Sequence, residues 1–191
     1  MEKLIKFYEK EFSHFEKQRA EIRRLWNISP ETGKFIYQQI INFKPKNILE
    51  IGTSNGYSSF WISLAAEKID AKFQTIEVDE KRQKMAKENL KMRTNIEFVF
   101  GKAEDKIPTL ENEIDFVFID AGKIGYINYL NALLPLLRKE AFLLADNVIS
   151  HQKTVRKYLD FVQQDKRFIT MTLPIGSGLE LSTYRKDGYE Y

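Results

Sequence analysis

Two carboxylate residues each come directly after a long apolar run, and an amide follows the second of them. Asp120 follows the run 116–119, and Asp146 with Asn147 follows the run 141–145. Runs of this kind are typical of strands buried on both faces of a parallel sheet. One helical segment separates them, so we expect parallel neighbours whose ends meet where open α/β sheets bind ligands. Three oxygen-bearing side chains there predict a site for a hard divalent cation: Mg²⁺, Mn²⁺ or Ca²⁺.

A glycine-containing turn lies between the first predicted strand, 47–51, and the following helix. Gly52 and Gly56 bracket this turn, which would present backbone N–H groups and let a ligand approach closely. The pattern is neither GxGxxG nor a P-loop, because the third glycine and the GK[ST] sequence are missing. A glycine turn alone is as often structural as functional, so it is weak support for a ligand site.

Glu77 ends the second predicted strand and strengthens the case for a nucleoside ligand. An acid at this position is placed to accept hydrogen bonds from the ribose hydroxyls of an adenosine group. Helix capping is the alternative role, but it suits Asp79 better. NAD, a nucleotide and S-adenosylmethionine all remain open on this observation. Glu50 at the entrance of the turn is unfavourable for a phosphate and favourable for an ammonium or sulfonium, which indicates S-adenosylmethionine.

Composition sets limits on the function. The chain has 191 residues, 43% of them hydrophobic and 30% charged, with a net charge of +3. No cysteine is present, which excludes disulfides, thiolate metal sites and a cysteine nucleophile, and the distant His14 and His151 argue against zinc. No apolar stretch approaches the ~20 residues of a membrane span, and the first residues do not resemble a signal peptide. A cytoplasmic enzyme is expected.

The hydrophobic pattern predicts an alternation of strands and helices after two N-terminal helices. The N-terminal helices are expected at 3–25 and 30–43, with Ser29 as N-cap and Pro30 in the first turn. Strands are expected at 47–51, 73–78, 96–100, 115–119 and 141–145. Helices are expected at 56–67, 80–92, 125–138 and 151–165, and an antiparallel pair at 168–173 and 179–184. We therefore expect one domain over 1–191, with a helical extension at 1–43 and a core at 47–185.

Four ordered motifs carry a resemblance to a known family: ILEIGTSNGYSS, TIEVDEKRQKMAKENL, FVFIDAGKIGYINYL and LLADNVI. Together they resemble the cation-dependent class I O-methyltransferases, which include the catechol and caffeoyl-CoA O-methyltransferases, over roughly residues 28–185. The resemblance implies an α/β, Rossmann-like fold. Its seven-stranded, mostly parallel sheet would have one antiparallel edge strand and N-terminal helices beside it.

The resemblance also implies roles for individual residues. Asp120, Asp146 and Asn147 match the metal ligands, and Lys123 matches the catalytic lysine, beside Asp120. The residues implied to bind S-adenosylmethionine are Glu50, Gly52, Ser54, Gly56, Tyr57, Ser58, Glu77, Val78, Ala103, Glu104 and Asp120. Three positions depart from the common pattern and bear on the pocket rather than the chemistry: Ser54, Gly122 and Ser177.

The reaction implied is methyl transfer from S-adenosylmethionine to a hydroxyl of a catechol-like small molecule, with Mg²⁺ binding two vicinal oxygens and Lys123 as general base. Two alternatives stay open. A tRNA hydroxyuridine O-methyltransferase is consistent with the mildly basic pI of 8.9 and with the basic residues Lys17, Arg19, Arg23 and Arg24. A catalytically silent S-adenosylmethionine-binding protein is less consistent with the complete set of metal ligands and lysine.

The first predicted helix also bears on assembly. It carries apolar residues at helical spacing, including Leu4, Phe7, Phe12 and Phe15. This stripe would be exposed unless it packs on the domain or on a second copy of the chain. A homodimer is therefore expected, in line with the resemblance.

Overall fold

The computed structural model describes residues 6, 8–22 and 25–187, in which strands and helices alternate after two N-terminal helices. Three single 3₁₀ turns lie at Ile107–Thr109, Lys123–Gly125 and Leu134–Leu136. The helices and strands are, in chain order, α1 (Glu9–Glu21), α2 (Pro30–Phe43), β1 (Asn47–Ile51), α3 (Tyr57–Ile69), β2 (Lys72–Glu77), α4 (Glu80–Asn89), β3 (Ile96–Phe100), α5 (Ala103–Lys106), β4 (Ile114–Ile119), α6 (Tyr126–Leu133), β5 (Leu137–Ala145), α7 (Arg156–Gln164), β6 (Phe168–Leu173) and β7 (Leu179–Tyr184).

The strands form one seven-stranded sheet in the order β3-β2-β1-β4-β5-β7-β6. Strands β1 to β5 pair in parallel, whereas β7 is antiparallel to both β5 and β6. The predicted Rossmann-like, mostly parallel sheet is thus confirmed. The structure adds that the antiparallel strand lies inside the edge, with β6 as the outermost strand.

The apolar runs of the central strands are explained by burial on both faces of the sheet. Successive residues of β4 belong to different hydrophobic clusters: Val117 lies in one cluster, and Phe116 and Phe118 lie in the other. Because side chains alternate along a strand, each cluster covers one face of the sheet. All six residues of β4 are buried. Asp120 follows directly, at the edge of the sheet.

The largest difference from the predicted elements lies between α6 and β5. A helix was expected over 125–138, but α6 ends at Leu133 and β5 begins at Leu137. Pro135 lies in the intervening 3₁₀ turn, where its missing N–H ends the α-helical hydrogen bonding. In the same way, α7 begins only at Arg156, after a series of turns, and not at residue 151.

The N-terminal helices pack on the sheet domain of the same chain. Phe15 of α1 is buried, with its ring 5.4 Å from that of Tyr57 and 5.7 Å from that of Phe60. Helix α2 begins as predicted, since the Ser29 hydroxyl accepts a hydrogen bond from the Thr32 N–H at 3.1 Å. The predicted helical residues Leu4 and Phe7 and the basic residues Arg23 and Arg24 lie outside the described residues. Within the described ranges, no helix is both long and apolar enough to span a membrane.

Candidate active site

Backbone hydrogen bonds join the carboxyl ends of the central strands. The N–H of Asp120 donates to the carbonyl of Ile51 at 2.9 Å, and the N–H of Asp146 donates to the carbonyl of Ile119 at 2.9 Å. Strands β4 and β5 are parallel neighbours, and Ile119 pairs with Ala145. The expectation that Asp120 and Asp146 meet at one edge is confirmed. This edge also carries the glycine-containing turn after β1.

The two carboxylates lie in a buried, acid-rich environment. Asp146 is 3% exposed, and its Oδ1 has no hydrogen-bond partner among the described residues. Burial, with the charge of Asp120 as the second cause, raises the pKa of Asp146 to about 7. Burial also raises the pKa of Asp120, against the lowering effect of Lys123, whose Nζ lies 2.7 Å from Asp120 Oδ1. One lysine thus partly balances two buried acids.

Asn147 follows Asp146 in a left-handed backbone conformation, with φ of 64°. Asparagine adopts this conformation more readily than most residues. Its carbonyl accepts the N–H of His151 at 2.9 Å, which folds the following segment back as a turn. The hydroxyl of Tyr126 donates to the carbonyl of Asp146 at 3.0 Å and lies 3.3 Å from that of Ile119. Tyr126 therefore binds the ends of both strands.

The donor atoms at this edge fit a hard divalent cation. Two carboxylates and one amide offer oxygen ligands, which Mg²⁺ and Ca²⁺ prefer. The unpaired, buried oxygen of Asp146 is the observation in favour, because such an oxygen is costly unless it binds a partner. Among the described residues no three His, Cys, Asp or Glu side chains form a cluster suited to a metal. A cation here would therefore depend on Asn147 as well as the two acids.

Glu50 is a fully buried carboxylate at the end of β1. Its Oε2 accepts hydrogen bonds from the hydroxyls of Ser59 and of Thr75, the latter at 2.6 Å, while its Oε1 has no partner among the described residues. Burial raises the pKa of Glu50 to about 7, although hydrogen bonds from Ser58, Ser59 and Thr75 oppose this shift. An unpaired carboxylate oxygen is chemically suited to a cationic group, so the predicted contact of Glu50 with S-adenosylmethionine stays a prediction.

The turn after β1 has three residues with positive φ: Gly52 at 105°, Ser54 at 50° and Gly56 at 90°. A Cβ on Gly52 would lie 2.3 Å from the carbonyl oxygen of Asp120, and one on Gly56 would lie 2.7 Å from Leu90 Cδ1. We expected these glycines to make room for a ligand. On the side where a Cβ would lie, the space is taken by the protein itself, so the glycines also allow the turn to pack on its neighbours.

Glu77 holds the same turn from the tip of β2. Its Oε2 accepts the N–H of Ser54 at 2.8 Å, and its Oε1 accepts the N–H groups of Val78 and Asp79, both at 2.9 Å. A carboxylate has about four acceptor positions, so about one remains for a ribose hydroxyl. Asp79 caps α4 by accepting the N–H groups of Lys81 and Arg82, as its sequence position indicated.

The remaining residues predicted to bind S-adenosylmethionine differ in their exposure to solvent. Val78 is 59% exposed beside Glu77, whereas Ser58 and Ala103 are buried and Glu104 is partly buried. Tyr57 is also buried, and its ring faces Phe15 in the core, which leaves little of it for a ligand.

Tyr129 lies near Glu77 and Glu104, two residues predicted to bind S-adenosylmethionine. Burial and the carboxylates of Glu104 and Glu77 raise the pKa of Tyr129. A Cβ on Gly122 would meet only the Tyr129 hydroxyl, at 3.6 Å. The space beside Gly122 is thus bordered by Tyr129.

Comparisons with known proteins agree with this geometry. A catechol O-methyltransferase of Niastella koreensis is 35% identical over 136 residues, which cover 68% of this chain and 61% of that protein. The O-methyltransferase TomG of Streptomyces achromogenes, solved with S-adenosylmethionine, is 25% identical with a TM-score of 0.79, covering 88% of this chain and 85% of that one. A candidate caffeoyl-CoA O-methyltransferase of Staphylococcus aureus is 27% identical with a TM-score of 0.80, covering 96% and 98%.

The matches cover different shares of the proteins compared. The chain spans about three fifths of the length of the catechol O-methyltransferases that it matches, 61% for the Niastella koreensis protein and 60% for that of Mycobacterium tuberculosis. The family model described as O-methyltransferase matches residues 6–185, nearly the whole chain. The chain belongs to the O-methyltransferase family.

Proposed function

We propose that this protein transfers a methyl group from S-adenosylmethionine to a hydroxyl of a catechol-like small molecule, in a reaction that requires a divalent cation. The observation that carries the proposal is the direct connection between the two predicted ligand sites. The N–H of Asp120 is bonded to Ile51, and Gly52 packs against the Asp120 carbonyl. Cation ligands and donor turn therefore belong to one rigid strand edge, where donor and acceptor would be held together.

The donor would be held by the turn after β1 and the tip of β2. Glu50, Gly52 and Ser58 would bind the methionine end, where the unpaired Glu50 oxygen favours a cationic group. Glu77 would bind the ribose through its remaining acceptor position. Val78 would contact the adenine, together with Ala103 and Glu104. The turn residues Ser54 and Gly56 would shape this site, while the buried Tyr57 would act through packing.

The acceptor would be activated at the neighbouring strand ends. Asp120, Asp146 and Asn147 would hold the cation, which when bound lowers the pKa of a coordinated hydroxyl. Lys123 is held by its 2.7 Å contact with Asp120 and, as the neutral amine, would take up the proton of the acceptor hydroxyl. In this mechanism the two acids would orient the acceptor through the cation, and Lys123 would accept the proton.

The test is a methyl-transfer screen with labelled S-adenosylmethionine, using catechols and bulk tRNA as acceptors, with Mg²⁺ or with EDTA. Wild-type protein should label a catechol with Mg²⁺ and lose this activity in EDTA. Asp146→Ala should lose at least about a hundredfold in rate, by removing a ligand of the catalytic cation. Asp160→Ala is the control, since within the described ranges Asp160 forms an exposed ion pair with Arg156 alone. Full activity of Asp146→Ala would contradict the cation mechanism.

The same screen separates the alternative functions. Labelling of tRNA, with an affinity that falls steeply as salt rises, would indicate the hydroxyuridine methyltransferase. Donor binding without transfer to any acceptor would indicate a silent binding protein. No contact among the described residues favours either alternative over the catechol-like acceptor.

A further inference from the structure

The turn that would bind the methyl donor is held in place partly by the N-terminal helix. The turn contains the left-handed Ser54, a conformation that non-glycine residues adopt only when their surroundings hold them. The N–H of Ser54 is held by Glu77 from within the sheet domain. Its hydroxyl instead donates to the carbonyl of Leu25 at 3.1 Å, in the segment before α2.

Gln18 of α1 provides the second contact from the N-terminal region. Its Oε1 accepts the side-chain amide of Asn55 at 3.1 Å, in the turn itself. Asn55 is fully buried, and its own Oδ1 has no partner among the described residues. Among the described residues, the side chain of Asn55 therefore makes its hydrogen bond with Gln18.

Asn89 at the end of α4 completes the arrangement. The amides of Gln18 and Asn89 form a reciprocal pair, with N···O distances of 2.9 and 2.8 Å. Asn89 also donates to the backbone carbonyl of Asn55 at 2.9 Å, and His14 Nε2 lies 2.9 Å from Asn89 Oδ1. The turn is thus bonded to α1 and α4 through three amide side chains, Gln18, Asn55 and Asn89, which we term the amide cluster.

We propose that Gln18 is a positioning residue for the methyl donor, which keeps the turn after β1 in its donor-binding conformation through the amide cluster. The inference rests on the proposed function, because it assigns the turn to S-adenosylmethionine. Gln18 acts through Asn55. Docking of α1 and binding of the donor then stabilise each other, since coupling between two binding events is reciprocal.

Two substitutions of Gln18 separate hydrogen bonding from packing. Gln18→Met keeps the length of the side chain but removes its hydrogen bonds, so the affinity for S-adenosylhomocysteine should fall about 5- to 20-fold. Gln18→Glu keeps the acceptor for Asn55 but loses the donor to Asn89 Oδ1, so its affinity should fall less than that of Gln18→Met. The rate at saturating donor should change by less than about twofold in both variants, because Gln18 acts on donor binding.

The experiment measures S-adenosylhomocysteine binding by calorimetry and backbone hydrogen exchange, on the full chain with and without this ligand. Lys17→Ala is the matched control, since the Lys17 side chain is 74% exposed in the same helix and, among the residues that the structure describes, pairs with Glu21 alone, at 3.9 Å. In wild type, ligand should slow exchange in residues 9–21. In Gln18→Met that protection should be lost, while residues 52–56 remain protected at saturating ligand.

The outcomes distinguish this inference from the proposed function. Wild-type affinity in Gln18→Met, or an equal loss in Gln18→Glu, would overturn the positioning role. Unchanged exchange of α1 on ligand binding in wild type would also overturn it, even if Gln18→Met did not fold. A wild-type protein that binds no S-adenosylhomocysteine would instead overturn the proposed function, and this inference with it.

Discussion

At the scale of single residues, Glu50 shows a conflict between stability and binding. A carboxylate buried away from water is costly unless it is bonded or neutral, and only one of its two oxygens has partners among the described residues. Burial raises its pKa from the ordinary value of 4.5 to about 7. The same unpaired charge would bind an ammonium or sulfonium. We therefore expect Glu50 to cost stability in the free protein and to favour the donor complex.

The pH dependence of stability follows from this shift. Because the folded-state pKa lies above the unfolded one, the contribution of Glu50 is fully present below about pH 4.5 and is lost as the pH rises through about 7. Between about pH 5 and 8, the free energy of unfolding of wild type should fall by about 2–3 kcal/mol more than that of Glu50→Gln. Urea unfolding at several pH values measures this difference, and parallel profiles would contradict the assignment.

Lys123 is the residue on which the proposed proton transfer would depend. Replacing it by methionine keeps most of its length but removes the amine, so kcat should fall about 10²- to 10⁴-fold. Donor affinity should fall much less, because Lys123 pairs with the Asp120 carboxylate whereas the donor turn packs on the Asp120 backbone carbonyl. Steady-state kinetics with Lys139→Met as control, an exposed lysine that pairs with Asp187, would measure this. An unchanged kcat would remove Lys123 from the mechanism.

The sequence predicted the acids of the site better than their hydrogen-bond partners. Asp120 and Asp146 could be placed together because each follows a buried strand, and parallel neighbours end at the same edge. The contact between Glu50 and Thr75 depends on the register of β1 and β2, where these two residues pair. Register was not part of the prediction, so Thr75 was missed. The contacts of Asn55 with α1 depend on helix docking and have no local signal.

At the scale of elements, the connection between β6 and β7 supports the segment that follows the predicted metal ligands. The N–H groups of Val148, Ile149 and Ser150 donate to the carbonyls of Gly178 and Ser177, at distances of 3.0 to 3.2 Å. Asn147 is the residue directly before this segment. The backbone position of a predicted metal ligand thus depends on a loop about thirty residues away in the sequence.

Gly178→Ala tests this support. Gly178 has φ of 93°, and a Cβ there would lie 2.6 Å from the Ile149 backbone nitrogen. The segment after Asn147 would have to move, so the Mg²⁺ concentration for half-maximal activity should rise at least about tenfold, with a stability cost of about 1–3 kcal/mol. Gly176→Ala is the control, because its Cβ would approach Thr32 and Ser29 instead. Equal Mg²⁺ requirements in the two variants would contradict the role.

The elements themselves were predicted well where the apolar pattern was unambiguous. Strand β1 and helix α2 have the expected bounds, and the antiparallel pair β6 and β7 lies where expected. The boundary between α6 and β5 was wrong, because the apolar residues 133–137 fit either a helix or a strand. Pro135 in this stretch was the signal that should have ended the helix.

At the scale of the whole molecule, assembly remains a prediction. The apolar stripe of α1 could pack on its own domain or on a second copy, and Phe15 packs on its own domain. The sequence argument for a homodimer is therefore weakened, although the dimer is still expected from the resemblance. Light scattering should give twice the chain mass of 22.5 kDa. A mass equal to one chain at micromolar concentration would contradict the dimer.

The central claim is that a cation held at the ends of β4 and β5 activates a hydroxyl for methylation. The most direct test is the rate of methyl transfer from labelled S-adenosylmethionine to catechol and to phenol, each with Mg²⁺ or EDTA. Catechol offers two vicinal oxygens to the cation and phenol only one. We predict transfer to catechol with Mg²⁺, a loss of at least about a thousandfold in EDTA, and little transfer to phenol. Equal rates on catechol with Mg²⁺ and with EDTA would contradict the account.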